Sequence, residues 1–274
     1  MHDAEEEKMK VDIKLVYGDF FKEQEQLESG SFDLIITDPP YGILERAGHS
    51  WDVPIDWIQA ERIFSRLLKP NGQVIIFANH SLMIEIISTF SEKLVWKHFH
   101  IWKKSCPTII NKYNPRSDAE YILIFKQKSS NVKDLTFNPY ESGIVGKPYS
   151  KINHTTDLIT RGGKKGSVDI NEDGKRWITT ILEGPSKPNM EREERTSHPT
   201  QKPLTILREL IRVYSNPNDK VFDCFAGSAS ILISAFLENR NSIGFEIEEK
   251  YFNEAQTRIS RYRAQTSLNL QVVS

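Results

Sequence analysis

The sequence predicts a doubly wound α/β sheet with helices on both faces, interrupted late in the chain by one irregular insert. Short apolar runs bounded by turn residues recur along the chain, and they are continuous rather than alternating, as in strands buried on both faces. Segments with helical periodicity lie between them, and alternation of the two patterns is the mark of an α/β sheet. The alternation lapses from about Lys128 to Thr196, where Gly143, Gly146, Gly162, Gly163, Gly166, Gly174 and Gly184 mingle with Pro139, Pro148, Pro185 and Pro188.

In chain order, Ile13 to Tyr17 and Phe32 to Thr37 read as strands. A helix over Ile55 to Leu68 is stopped by Pro70-Asn71-Gly72, and Gln73 to Ala78 returns to strand. Ser81 to Phe90 is helical, and Phe99 to Trp102 and Tyr121 to Phe125 are strands. Beyond the insert come a helix over Leu204 to Tyr214, a strand over Val221 to Cys224, a helix over Ser230 to Leu237, a strand over Ser242 to Phe245 and a helix over Glu248 to Arg263. The expected organisation is one body from residues 1–127 and 197–274, with 128–196 as the insert.

The 274 residues are 38% hydrophobic and 27% charged, which excludes disordered and fibrous classes. Lys plus Arg number 36 against 37 Asp plus Glu, so a wholly basic nucleic-acid coat protein is excluded while local basic patches are not. Cys106 and Cys224 lie far apart without zinc-type spacing, so neither a disulfide scaffold nor a metal site is expected, and a reducing cytoplasmic setting fits. Glu5, Glu6 and Glu7 stand where a signal peptide would be basic. Runs such as Leu34-Ile35-Ile36 and Val74-Ile75-Ile76-Phe77 are far short of the ~20 residues a bilayer span needs, so no membrane association is expected.

Asp38-Pro39-Pro40-Tyr41 follows the second apolar run directly, on a loop at the carboxyl end of a buried strand, where open α/β sheets bind ligands. Two prolines fix the backbone and carry no N–H, leaving carbonyls free to accept from a substrate amine. Asp38 adds a carboxylate acceptor and Tyr41 a flat face, so the four residues suit a planar ring bearing an exocyclic amino group. The alternative is a plain Pro-Pro turn with Asp38 as a cap.

Asp223-Cys224-Phe225-Ala226-Gly227-Ser228-Ala229-Ser230 runs from a strand through small residues into a helix, a setting in which backbone N–H groups approach a polar ligand. The next strand ends at Glu246, where an acidic side chain bonds ribose hydroxyls in dinucleotide-type folds. The loop has neither the GxGxxG nor the Walker pattern, which points to a nucleoside cofactor poorer in phosphate than NAD or ATP. A tight turn with a solvated Glu246 is the competing reading. Asp19-Phe20, after the first strand, suits an adenine amine and ring, although in isolation a turn residue and a core phenylalanine is the safer reading. The insert carries Lys147, Lys151, Arg161, Lys164, Lys165, Lys175 and Arg176 among Tyr140, Tyr149 and Trp177, a mixture suited to phosphates and bases or to a solvated surface.

Together these motifs resemble the β-class amino DNA methyltransferases, which use S-adenosylmethionine to methylate the exocyclic amines of adenine or cytosine. The order carries the resemblance: Asp38 to Tyr41 comes first, the insert next, and Phe225 to Ser230 last, as in a circularly permuted Rossmann-like methyltransferase sheet. His198-Pro199-Thr200-Gln201-Lys202-Pro203 is similar to the HPTxKP segment of that class, and Leu67 to Gly72, Trp102-Lys103 and Glu120 to Phe125 match its later segments. The resemblance implies that Asp19 and Phe20 meet the cofactor adenine and that Glu246 holds the ribose. It sets Asp223, Phe225, Ala226, Gly227 and Ser228 around the methionine moiety, with His198, Thr200, Gln201 and Lys202 at its methionine end and Asp38 beside it. Asp38, Pro39, Pro40 and Tyr41 would be catalytic, and 128–196 a target-recognition insert on double-stranded DNA.

Asp38 rather than Ser at the head of the motif favours adenine over cytosine. A cognate restriction endonuclease and a homodimer are further partners the class allows. Residues 42–56, with Gly48, His49, Trp51 and Asp52, are expected as a mobile loop over DNA. One departure is Ala229 where the class usually has Gly, which bears on cofactor affinity rather than fold. Rival classes are RNA or protein amide methyltransferases, which generally carry the cofactor motif first, and a non-catalytic DNA-binding subunit.

Overall fold

The computed structural model of the chain describes residues 11–42, 51–108, 112–152 and 168–273. The chain opens with β1 (Ile13–Tyr17), the single turn α1 (Phe20–Glu23) and β2 (Phe32–Thr37). α2 (Trp57–Leu67), β3 (Leu68–Ala78), α3 (His80–Thr89), β4 (Leu94–Thr108) and β5 (Ser117–Gln127) follow. Residues 128–196, the expected insert, contain β6 (Tyr149–Ile152), β7 (Val168–Asn171) and β8 (Ile181–Gly184). The last part holds α4 (Leu204–Tyr214), β9 (Lys220–Asp223), α5 (Ser230–Leu237), β10 (Asn241–Glu246) and α6 (Glu249–Val273).

Among the described residues one sheet has the order β1-β10-β9-β2-β3-β5-β4-β8. The first five strands are parallel, whereas β5 runs antiparallel to both β3 and β4. Apolar runs are continuous because successive residues face different layers. Ile35, Val74 and Ile76 pack with Phe64 and Leu67 of α2 and Ile86 of α3, whereas Leu34, Ile36, Ile75 and Phe77 pack with Leu207, Leu210 and Ile211 of α4. A third apolar cluster sets Ile13 and Leu15 against Leu232 of α5 and Ala255 of α6.

Several boundaries differ from the sequence expectation for local reasons. α2 begins at Trp57 because the Asp56 carboxylate accepts from the N–H groups of Ile58 and Gln59. Pro70-Asn71-Gly72 does not form a separate turn. It lies inside β3 as an irregularity, where pairing with β2 jumps from Phe32↔Leu68 to Leu34↔Gln73. Gly72 is required there, since a Cβ would stand 2.8 Å from the Asp33 carbonyl oxygen.

The insert is less irregular than its composition suggests: β6 and β7 form an antiparallel pair, and β8 extends the main sheet alongside β4. Ile178 and Leu182 of this stretch are buried in the α4-side layer. A buried chain of hydrogen bonds also ties it to the body. His100 Nδ1 lies 2.9 Å from the Thr179 carbonyl, which can only accept, so His100 Nε2 is left to accept from the Tyr214 hydroxyl at 2.6 Å. The Tyr214 oxygen then accepts from His98 Nε2 at 2.8 Å. Both imidazoles are held neutral, burial lowering the pKa of each and the nearby Lys97 ammonium adding to it. Among the described residues no helix is long and apolar enough to cross a membrane, and no group of three or more His, Cys, Asp or Glu is placed to hold a metal.

Candidate active site

The carboxyl ends of β1, β10, β9 and β2 open on one cleft of about 410 Å3, lined by Asp19, Phe20, Glu246, Asp223 and Asp38 with Trp51, His198, Thr200, Gln201 and Lys202. It lies where chain connections diverge on either side of the β9–β2 pair, the topological position at which open α/β sheets bind ligands. Phe20 forms part of the floor and is also core, its ring packing at 5.3 Å on Phe222 and 5.9 Å on Phe245. Asp19 caps α1 by accepting from Phe21 N–H at 3.0 Å. The cap and core reading of this pair holds, and both residues also line the cleft.

The loop after β9 is shaped by its glycine. Gly227 has φ of +51°, and a Cβ there would stand 3.0 Å from His198 Nε2, so both the backbone and the histidine ring demand glycine. Its N–H donates to Glu246 Oε2 at 2.7 Å, while Glu246 Oε1 accepts from Glu248 N–H at 2.8 Å. Glu246 thus clasps the loop with one oxygen and the turn after β10 with the other. Ala229 also stands in the left-handed region, with φ of +57°. Its methyl is packed in the apolar cluster of Ile13, Leu15, Leu232 and Ala255, and Ser228 and Ser230 on either side line the cleft instead. The departure from Gly therefore costs backbone freedom without occupying cleft space.

Asp223 lies beneath this loop. Its Oδ1 accepts from Thr37 Oγ1 at 2.9 Å and Phe225 N–H at 3.1 Å, while Oδ2 is buried without a hydrogen-bond partner. Burial pushes its carboxyl up to about 7, with the charges of Asp38 and Glu246 adding to the effect.

On the other side of Asp38 is a buried charge cluster. Lys202 Nζ lies 2.6 Å from Asp38 Oδ2 and 2.9 Å from Glu120 Oε1, and Lys104 Nζ lies 2.9 Å from Glu120 Oε2. The Tyr41 hydroxyl is 2.6 Å from Glu120 Oε1 and 3.0 Å from Asp38 Oδ1. Two carboxylates face two ammoniums, with side-chain exposures of only 6% at Lys202 and 7% at Glu120. Charges so placed are tolerated only when paired. Asp52 N-terminal to α2 closes the motif from outside, its Oδ1 accepting from the N–H groups of Tyr41 at 2.6 Å and Gly42 at 2.9 Å.

The N6/N4 DNA methylase family profile matches residues 32–257, most of the chain. The chain belongs to this family. The methylase is 29% identical over 250 residues to the type II methyltransferase M1.MboII of Moraxella bovis, covering 84% of this chain and 90% of that protein. It is also 29% identical over 262 residues to the type II methyltransferase M.HpaI of Haemophilus parainfluenzae, covering 91% and 74%. Among solved structures it is similar to M1.HpyAVI in complex with SAM, with a TM-score of 0.58 and 28% identity, covering 90% of this chain and 99% of that one.

Within the methylase, the residues singled out by sequence fall into separate groups. Those around Asp19, Asp38, Asp223, Phe225 to Ser228, His198, Thr200, Gln201 and Glu246 converge on the one cleft. Gln201 lines it with a side chain already engaged, accepting from Thr196 and donating to the Glu194 carbonyl. Lys202, placed by sequence at the methionine end of the cofactor, directs its ammonium into the Asp38–Glu120 cluster because those two carboxylates are its nearest buried partners. Asp52, expected in a mobile loop, is a buried anchor; Gly48 and His49 lie outside the described residues. Glu120 and Lys104 were not anticipated as site residues.

The basic residues of the insert divide likewise. Lys147 and Lys151 are exposed. Lys175 pairs with Glu141 at 3.1 Å. Arg176 donates to Asn171 Oδ1, the Gly174 carbonyl and the Lys147 carbonyl and lies 5.0 Å over the Tyr149 ring, so its donors hold the insert together. Arg161, Lys164 and Lys165 lie outside the described residues.

Proposed function

We propose that this methylase transfers a methyl group from S-adenosylmethionine to the exocyclic N6 amine of adenine in duplex DNA. The observation that carries the reading is that Asp38 and Pro39 line the same cleft as Glu246 and the Gly227 loop. The residues fit the cofactor. The cleft is of ligand size, and Asp223 Oδ2 is a buried oxygen that lacks a donor. Glu246 is a carboxylate acceptor in its lining for ribose hydroxyls.

S-adenosylmethionine supplies a methyl on a sulfonium sulfur, an electrophile that needs no acid to activate it. An aromatic amine is a poor nucleophile because its lone pair is delocalised into the ring. Asp38 and the Pro39 carbonyl accept its hydrogens and favour a nitrogen whose lone pair is localised. Their negative charge offsets the positive charge that grows on nitrogen, and the Asp38 carboxylate takes the proton that nitrogen loses. Since the amine lies inside the duplex stack, the base must leave it, and the Tyr41 ring replaces stacking lost by the flipped base. Residues 128–196 serve as the target-recognition insert, with exposed Lys147 and Lys151 available to phosphates. Asp38 at the head of the motif supports adenine over cytosine.

Incubating the methylase with labelled cofactor and duplex DNA, then separating the nucleosides, tests the reading: label in N6-methyl-2'-deoxyadenosine is expected, N4-methyl-2'-deoxycytidine would move the target to cytosine, and label only in RNA or protein would end the DNA assignment. Glu246→Ala should weaken cofactor binding roughly 10–100-fold in a calorimetric titration, the effect of losing a charged hydrogen-bonding group. Unchanged affinity would reduce Glu246 to a clasp on the Gly227 loop.

A further inference from the structure

In the resting site Asp38 Oδ2 is engaged by the Lys202 ammonium, while its Oδ1 shares the single Tyr41 hydroxyl proton with the nearer Glu120 Oε1. An amine that binds Asp38 must compete with the ammonium or the hydroxyl. A displaced hydroxyl or ammonium needs another acceptor, because a buried donor left bare is costly. Glu120 offers that acceptor to both, since its Oε1 already lies 2.6 Å from the Tyr41 hydroxyl and 2.9 Å from Lys202 Nζ. Its other oxygen is fixed by Lys104. We propose that Glu120, delivered to the site by antiparallel β5, is a positioning residue for methyl transfer that takes over Tyr41 and Lys202 when the target amine engages Asp38. The proposal rests on the reading that Asp38 receives a base amine.

The surroundings of the two carboxylates differ in a way that suits these roles. Asp38 is faced by Lys202 from the segment before α4, Tyr41 from its own loop, Glu120 from β5, with Lys104 of β4 behind it, and Asp223 from the end of β9. Burial raises the Asp38 carboxyl to about 6, Lys202 opposing and Glu120 adding to the rise. Burial by itself would raise Glu120 too, but the Lys202 and Lys104 ammoniums outweigh it and hold that carboxyl below its usual range. Glu120 is therefore the permanent anion, and Asp38 the group near its point of titration.

The acid limb of the pH–rate profile reads this arrangement directly. Glu120→Gln removes a negative charge facing Asp38, so the limb should move to lower pH by about one unit, the size of effect a close charge has on a carboxyl. Lys104→Met removes a cation instead, and the limb should move to higher pH. In Glu120→Gln, kcat should fall roughly 10–100-fold while the cofactor KM changes by less than about twofold, because the loss concerns geometry at the reacting amine. Glu120→Asp keeps the charge but is shorter, so the rate should fall with the limb at its wild-type position. Full kcat in Glu120→Gln, or limbs unmoved in both charge-changing variants, would overturn the role of Glu120. Should Glu120→Gln fail to fold, Glu120→Asp decides, since it keeps the buried charge: an undiminished kcat in that variant overturns the role of Glu120. Wild-type protein that methylates no base amine would overturn the underlying reading, whereas an active wild type with unmoved limbs overturns this proposal only.

Discussion

Replacing Asp38 by alanine is expected to lower methyl transfer by about a hundredfold or more, the cost of removing a directed charge from a developing one. Cofactor affinity should change little. The geometry also predicts that the variant folds. Removing Asp38 leaves Lys202 with Glu120 at 2.9 Å, so the buried ammonium keeps a counterion. Tyr41 likewise keeps Glu120 as acceptor at 2.6 Å. Single-turnover rates with saturating cofactor and DNA, with a calorimetric titration of the cofactor beside them, separate the two effects. Turnover within a few-fold of wild type would remove Asp38 from the reaction, and a collapse of cofactor affinity with the rate intact would reassign it to the cofactor wall.

The parallel half of the sheet was legible because its strands are buried on both faces and leave unbroken apolar runs. β8 was not, since Ile181-Leu182 is too short a run to stand out among the glycines and prolines around it. The same distinction governs the site. Asp38, Asp223 and Glu246 each follow a strand in sequence, so the rule that ligands lie beyond the carboxyl ends of strands points to them. Glu120 stands near the start of β5, and only the antiparallel direction of that strand carries it to the carboxyl edge, where Tyr121 pairs with Ala78 at the end of β3. Nothing in one sequence states that direction. Lys104 arrives at the same edge because β4 continues well past the apolar run that announces it. Asp52 was obscured in another way: a polar stretch rich in loop residues reads as solvated, and the backbone N–H groups that bury its carboxylate belong to residues ten and eleven positions earlier.

Lys202 lines the cleft, as its sequence segment implies, and also carries an ion-pairing role that the segment does not announce. Lys202→Ala is expected to destabilise the fold by about 3–5 kcal/mol, the usual cost of stranding a buried charge by removing its partner. The asymmetry with Asp38 follows from the pairing. Glu120 would retain Lys104, but no other ammonium lies within salt-bridge distance of Asp38 among the described residues. The deficit should depend on pH with a definite sign. Without Lys202, which opposes burial, the Asp38 carboxyl rises further above its ordinary 3.8. The folded variant then binds a proton that the unfolded chain does not, so its stability grows as pH falls through that raised value and is fully recovered only below about 3.8. Urea unfolding of wild type and variant between pH 8 and pH 5, a range chosen to span the raised carboxyl, should therefore show the gap closing on acidification. A contact with the methionine end of the cofactor, the role its sequence segment implies, predicts the reverse pattern: near-wild-type stability at every pH, weakened cofactor binding, and no convergence of the two unfolding midpoints.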